Sequence, residues 1–326
     1  MRRIIAILEI LVLMTLSIVG CSNPEPQEDD LIVIGMSQTG AESDWRAANT
    51  ESMRAVFTEE NGYRLIFDDA RQQQENQIAS IRRFIQEKVD YIVVMPISEV
   101  GWEAVLKEAR DAGIPVIIVD RMVNIDDESL MTAHLGADFH AEGERAVSWM
   151  ESRFSGKNNI NIVHIQGTLG SSAQIGRTEA LLNAVENNPN WNIISTMDGD
   201  FTQAKTYEVM QAYLASCEVL PDIDVVYCEN DNEAFGALRA LGEFGYTIGE
   251  GGTQIISFDA TKQALMYCRE GKISLCVDCN PLLGPLVESC ITDLENGVKV
   301  DKYQYVDEGY FVTADITDEL LESRPY

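Results

Sequence analysis

Histidine is nearly absent from this chain of 326 residues: there are three, His134, His140 and His164, none at metal-ligand spacing and none with an obvious catalytic partner. Hydrolytic and metal-dependent catalysis therefore have little to work with, and no metal or other cofactor is expected. Basic residues are scarce as well, 24 against 53 acidic, for a formal net charge of −29. Such a surface repels phosphate backbones and anionic lipid, which excludes nucleic acid as a partner. Glycine-rich phosphate loops are missing too. Gly35-Met-Ser-Gln-Thr-Gly40 follows the first strand without the lysine of a phosphate loop, no Gly-x-Gly-x-x-Gly stands there, and no Gly-x-Ser-x-Gly elbow occurs anywhere. The chain is not expected to be an enzyme.

Cysteine is absent between residues 22 and 216. Of the seven, Cys217, Cys228, Cys268, Cys276, Cys279 and Cys290 all lie in the second part of the chain. An even count permits disulfides, but Cys276 and Cys279 fall on one predicted strand, where an i, i+3 pair points to opposite faces. Buried free thiols are the expected state.

Long apolar runs are confined to the amino terminus. Arg2 and Arg3 precede Ile4–Val19, which is too short for a comfortable membrane span and carries Glu9. Residues 1–20 read as a signal peptide, and Leu16-Ser-Ile-Val-Gly-Cys21 looks like a lipobox whose cysteine is acylated. Residues 21–30, acidic and proline-containing, then form a lipid-anchored tether. The protein is expected to be exported and held at the outer face of the cytoplasmic membrane through Cys21 alone. Without Arg2, Arg3 and Glu9 the remaining chain has 22 basic and 52 acidic residues, a charge of −30. About 300 residues exceed what one core usually serves, so two domains are expected.

Those residues alternate strand and helix. Strands are predicted at Leu31–Ser37, Arg64–Phe67, Tyr91–Met95, Val116–Val119, Ile160–Ile165, Trp191–Met197, Asp224–Tyr227 and Gln254–Ser257, with amphipathic helices between them. Asp44 is a plausible cap for the first helix. The pattern implies right-handed βαβ units in two α/β domains, each doubly wound and Rossmann-like, that face each other across a cleft. In such sheets ligands bind at the carboxyl ends of the strands, and here those ends are chemically loaded. Ser37–Arg46 follows the first strand, Asp68-Asp69 the second and Asp120-Arg121 the fourth. Gly167–Ser172 leads to Arg177 in the second series, followed by Glu229-Asn230-Asp231 and Phe258-Asp259. Asp, Arg and Asn meet sugar hydroxyls in bidentate fashion, and Trp45 can cover a C–H face.

The mature chain resembles type I periplasmic binding proteins of the ribose/galactose class. Within that class it is similar to the galactofuranose-binding proteins of ABC sugar importers. Ser37–Thr50, Gln72–Phe84, Gly101–Arg121, Gln166–Arg177, Gly199–Thr202, Tyr227–Asp231 and Asn280-Pro281 carry the likeness. The resemblance implies a monosaccharide ligand held by Trp45, Arg46, Asp69, Asp120 and Arg121 from one domain. Arg177, Asn230 and Asp259 would come from the other, with Asn280 near the hinge. It also implies three crossovers, near His134–Asp138, Asn280–Pro281 and Val298–Tyr303. Residues 31–134 with 281–299 would then form one domain, and 135–280 with 300–326 the other. A monomer would close over the sugar and deliver it to an ABC permease and its ATPase; reporting to a membrane kinase or chemoreceptor is the alternative. Glu229, Gly176 and Ala260 depart from the family pattern, where a histidine, an acid and a glycine are usual, and they bear on which sugar is bound.

Overall fold

The computed structural model describes residues 31–326; the expected signal peptide, the expected acylation site at Cys21 and the expected tether lie outside the described residues. Two six-stranded sheets form the protein. The first contains β1 (Ile32–Gln38), β2 (Tyr63–Asp69), β3 (Tyr91–Val94), β4 (Val116–Val119), β5 (Ala133–Gly136) and β11 (Tyr303–Tyr305), in the order β11-β5-β4-β3-β1-β2. Every pairing in it is parallel. The second contains β6 (Ile160–Gln166), β7 (Trp191–Asp198), β8 (Val225–Cys228), β9 (Gln254–Asp259), β10 (Leu275–Asp278) and β12 (Tyr310–Phe311), in the order β12-β10-β9-β8-β6-β7. Only the edge strand β12 runs antiparallel.

The central strands read as unbroken apolar runs because helices cover both faces. Alternate side chains serve opposite layers. From β4, Ile117 and Val119 enter one core while Val116 and Ile118 enter the other. From β8, Val226 and Cys228 pack on one side of the second sheet, Val225 and Tyr227 on the other. The helices bearing on the cleft are α1 (Asp44–Val56), α4 (Phe139–Arg153), α5 (Ser172–Asn187) and α7 (Asp231–Glu243), with α6 (Gln203–Ser216) packed against α7. Two more, α2 (Gln74–Glu87) and α3 (Glu103–Asp111), cover the first sheet. Helix α8 (Lys262–Arg269) covers the second, and α9 (Gly284–Glu295) returns to the first, where Val287 and Ile291 share a core with Met53. Among the described residues no helix is long and apolar enough to cross a membrane, and the six cysteines are free thiols.

Two expected domain boundaries need correction. Leu135 and Gly136 belong to β5 in the first sheet, so the first domain runs on to Gly136 rather than ending at His134, and the crossover falls within His134–Asp138. Tyr303–Tyr305 pair with His134–Gly136, and the third crossover therefore lies at 306–309, beyond Val298–Tyr303. Both strands are short and lack an apolar run, and pairing, not local pattern, places them.

Candidate functional site

Helix α1 starts at the carboxyl end of β1. Its cap is Ser43, whose Oγ accepts the Arg46 N–H at 3.1 Å, and not Asp44, which is the first helical residue. The cap places Trp45 and Arg46 in the first turn. Beside them β4 ends at Asp120, held in the left-handed region at φ 64°. Its carbonyl accepts from His134 Nε2 at 2.9 Å. A Cβ at Gly136 would stand 2.7 Å from that same carbonyl oxygen, so only glycine lets β5 pass this turn. Arg46 Nη2 donates to Asp120 Oδ2 at 2.6 Å and Nε to Glu42 Oε1 at 3.0 Å. Arg121 Nη2 reaches the same Glu42 oxygen at 3.0 Å. Burial alone would raise the Glu42 carboxyl, but the Arg46 and Arg121 guanidiniums bring it down to about 2.

The second sheet supplies a matching wall. Asp259 ends β9 at φ 102°, mirroring Asp120. Arg177 on α5 donates through Nε to Glu142 Oε2 at 2.8 Å and through Nη1 to the Glu229 carbonyl at 2.5 Å. Its Nη2 lies 2.7 Å from Glu142 and 3.8 Å from Asp259. Burial pushes the Asp259 carboxyl well above the carboxylate range even with Arg177 beside it. Asn230 caps α7 by accepting the Glu233 N–H at 2.8 Å, and it donates to the Phe201 carbonyl at 3.1 Å. The side chain thereby fixes an aromatic wall.

Trp45, Arg46, Asp120, Arg121, Arg177, Asn230 and Asp259 thus line one cleft between the sheets, together with Glu42, Ser43, Phe139, Ala173, Phe201 and Cys279. The guanidiniums lie on aromatic faces. Arg46 sits 4.6 Å from Trp45, Arg121 reaches across to Phe201 at 5.1 Å, and Arg177 stands between Phe139 at 5.3 Å and Phe258 at 4.7 Å. Arg46 Nη1 is buried without a hydrogen-bond partner. Contacts between the domains close the rim. Asp44 and Asn232 exchange hydrogen bonds at 3.1 and 3.3 Å, and the Glu99 N–H donates to the Gly170 carbonyl at 2.9 Å.

Two of the candidate residues are not brought to the cleft. Asp69 is exposed and accepts its Arg71 neighbour's N–H at 2.7 Å. Asn280 is half-buried and turns its Oδ1 to the Leu282 N–H at 2.9 Å. Glu229 also faces away: its carboxylate meets His164 Nε2 at 2.9 Å and the Gly167 N–H at 2.8 Å. Gly176 has a packing reason, since a Cβ there would stand 2.8 Å from the Phe139 Cβ. Glu42 and Phe201 lie at strand ends, in Ser37–Arg46 and Gly199–Thr202, where the sequence already concentrates polar chemistry; Phe139 and Glu142 carry no local signal. A larger depression of about 500 Å³, lined by Lys157, Asp224 and Gln254, sits at the amino ends of the second sheet's strands, away from this chemistry.

The cleft therefore offers planar donors and acceptors beside aromatic faces, suited to a ligand rich in hydroxyls. Comparison with known proteins agrees in kind. A family model described as a periplasmic binding protein domain matches residues 34–283. The galactofuranose-binding protein YtfQ of Escherichia coli K12 is 34% identical over 296 residues, covering 90% of this chain and 92% of its own. A Mycobacterium smegmatis structure in complex with β-D-fucofuranose is 38% identical, with TM-score 0.82 over 87% of this chain and 92% of that one. The arabinose transporter component of Shewanella sp. ANA-3, bound to α- and β-L-arabinofuranose, is 34% identical, with TM-score 0.83 over 90% and 95%.

Proposed function

The chain belongs to the periplasmic binding protein family, and on that premise we propose that it captures a neutral monosaccharide in furanose form and delivers it to an ABC permease. The observation that carries this reading is the charge pattern of the cleft. Glu42 and Asp120 meet Arg46 and Arg121, and Glu142 meets Arg177, all out of water, while burial holds Asp259 towards its neutral form, so formal charges cancel. A ligand with its own charge would leave one charge uncompensated out of water, at a cost of several kcal/mol. A sugar instead exchanges hydrogen bonds with groups already held in place, while Trp45 and Phe201 cover its C–H surface. Relatives that bind galactofuranose, fucofuranose and arabinofuranose support the ring form. Closure of the two domains on the hinge would exclude water and strengthen those bonds. In this reading the mature protein is a monomer tethered through lipid on Cys21, and the ligand shell is made by the seven clustered residues with Glu42.

A thermal-shift screen of tether-trimmed protein against galactofuranose, L-arabinose, D-fucose, ribose and glucosamine tests it. A ligand that binds only the native state raises the melting temperature by mass action. A clear shift with a neutral sugar is expected. A folded protein that responds to none of the panel contradicts the reading.

A further inference from the structure

The three crossovers meet beside the cleft and bring acids with them. Glu142 lies in the first turn of α4, just past the first crossover; Cys279 opens the second and Glu308 lies on the third. A carboxylate oxygen of Glu142, the Cys279 Sγ and a carboxylate oxygen of Glu308 all fall within 4.8 Å of one another. All three side chains are buried. Glu142 Oε2 takes both Arg177 bonds, which leaves its Oε1 without a partner. Glu308 Oε1 accepts the Asn280 N–H at 2.7 Å.

Full ionisation would overload this spot with negative charge. Arg177 is paired with Glu142 and lies 3.8 Å from Asp259, and it offsets Glu308 only weakly. Nearby Asp278 is matched by Arg324 at 2.8 Å, and Asp120 adds a further negative charge facing Glu142. Two carboxylates this close, in a water-poor site, cannot both ionise cheaply. Burial, with Glu142 and Asp278 as like-charged neighbours, pushes Glu308 up to about 9. Burial raises Glu142 as well, although Arg177 opposes it. The Cys279 thiol is pushed well above its ordinary value by burial and stays neutral.

We propose that Glu142 and Glu308 hold one proton between them at the hinge, carboxyl to carboxylate, and that shutting the cleft draws this proton from solution. Opening would wet the cleft side of Arg177 and Cys279, both of which line it, and so reduce the penalty for ionising both acids. The second half of the proposal rests on the sugar-binding reading.

Calorimetric titration with L-arabinose near neutral pH, in two buffers of different ionisation enthalpy, counts the protons taken up. The wild type should take up close to one, and its affinity should fall by up to about tenfold per pH unit as pH rises. Glu308→Gln, whose amide imitates the protonated carboxyl, should take up none from this site and lose that slope. Binding without proton uptake, or uptake that persists in the variant, overturns the proposal. Thermal unfolding of both proteins in saturating L-arabinose, which holds the cleft shut, is the second readout. A group raised in the folded state loses its contribution as pH climbs from the ordinary carboxylate range through about 9. Wild type should therefore decline more steeply than Glu308→Gln over that interval. If L-arabinose gives neither heat nor a shift in melting temperature, the functional reading is what suffers; parallel unfolding curves with sugar bound would overturn the shared proton.

Discussion

Replacing Asp120 by asparagine keeps the size of the side chain and removes its charge, leaving Arg46 with Glu42 alone. A charge-assisted contact of this kind contributes about 1.5–3 kcal/mol. Sugar affinity measured by calorimetry should therefore drop about 10- to 100-fold in Asp120→Asn, with the melting temperature within a few degrees of wild type. Unchanged affinity would remove Asp120 from the ligand shell. The side chain was legible in the sequence because a buried apolar strand ends on an acid, and Asp259 carries the same signature. Asp69 carries it too, yet does not reach the cleft. Strand β2 is the margin of its sheet, so its carboxyl end opens to solvent rather than to the facing domain. Strand-end chemistry is informative for central strands and misleading at an edge.

The helices that frame the cleft depend on close approach. At Gly176 an added Cβ would stand 2.8 Å from the Phe139 Cβ and 2.9 Å from the Phe139 carbonyl carbon. Gly176→Ala should thus force α4 and α5 apart and lower stability by about 1–3 kcal/mol. A shifted urea midpoint with an unchanged slope is the expected result. Ala260 presents the reverse case. Its φ of 52° places a β-carbon in the left-handed region, where L-residues are disfavoured by about 1–2 kcal/mol. Ala260→Gly should relieve that strain, less the extra unfolded-state freedom of glycine, and raise the midpoint slightly; a lower midpoint would contradict the strain. Glycine's permissiveness was invisible in the sequence at Gly176, because the need for it comes from a helix distant along the chain. The βαβ alternation, in contrast, was plain from apolar periodicity. Strands β5 and β11 escaped because their three or four residues are placed by pairing with each other.

At the scale of the molecule, buried carboxyls set the response to pH, and they pull in two directions. Glu42 is lowered from 4.5 to about 2, so its contribution is present above 4.5 and is lost as pH falls through about 2. Asp231, raised by burial to about 7, and Glu308, raised to about 9, contribute below the ordinary carboxylate range and lose that contribution as pH rises through those values. Thermal stability of the closed, sugar-bound protein should accordingly peak on the acid side, around pH 4.5, where both sets hold. A maximum at alkaline pH would mean that these acids are ionised in the folded protein. The same balance of charge underlies the cleft, where Glu42, Asp120 and Glu142 offset three guanidiniums and leave no net charge for a ligand to meet.

Calorimetric titration of the mature protein with L-arabinose or galactofuranose, set beside galacturonate and galactosamine, tests that balance most directly. The account predicts saturable binding of a neutral sugar, with an affinity near −8 kcal/mol if it is micromolar, and no measurable heat from either charged sugar. Equal or tighter binding of a charged sugar would contradict a neutral cleft and the function built on it.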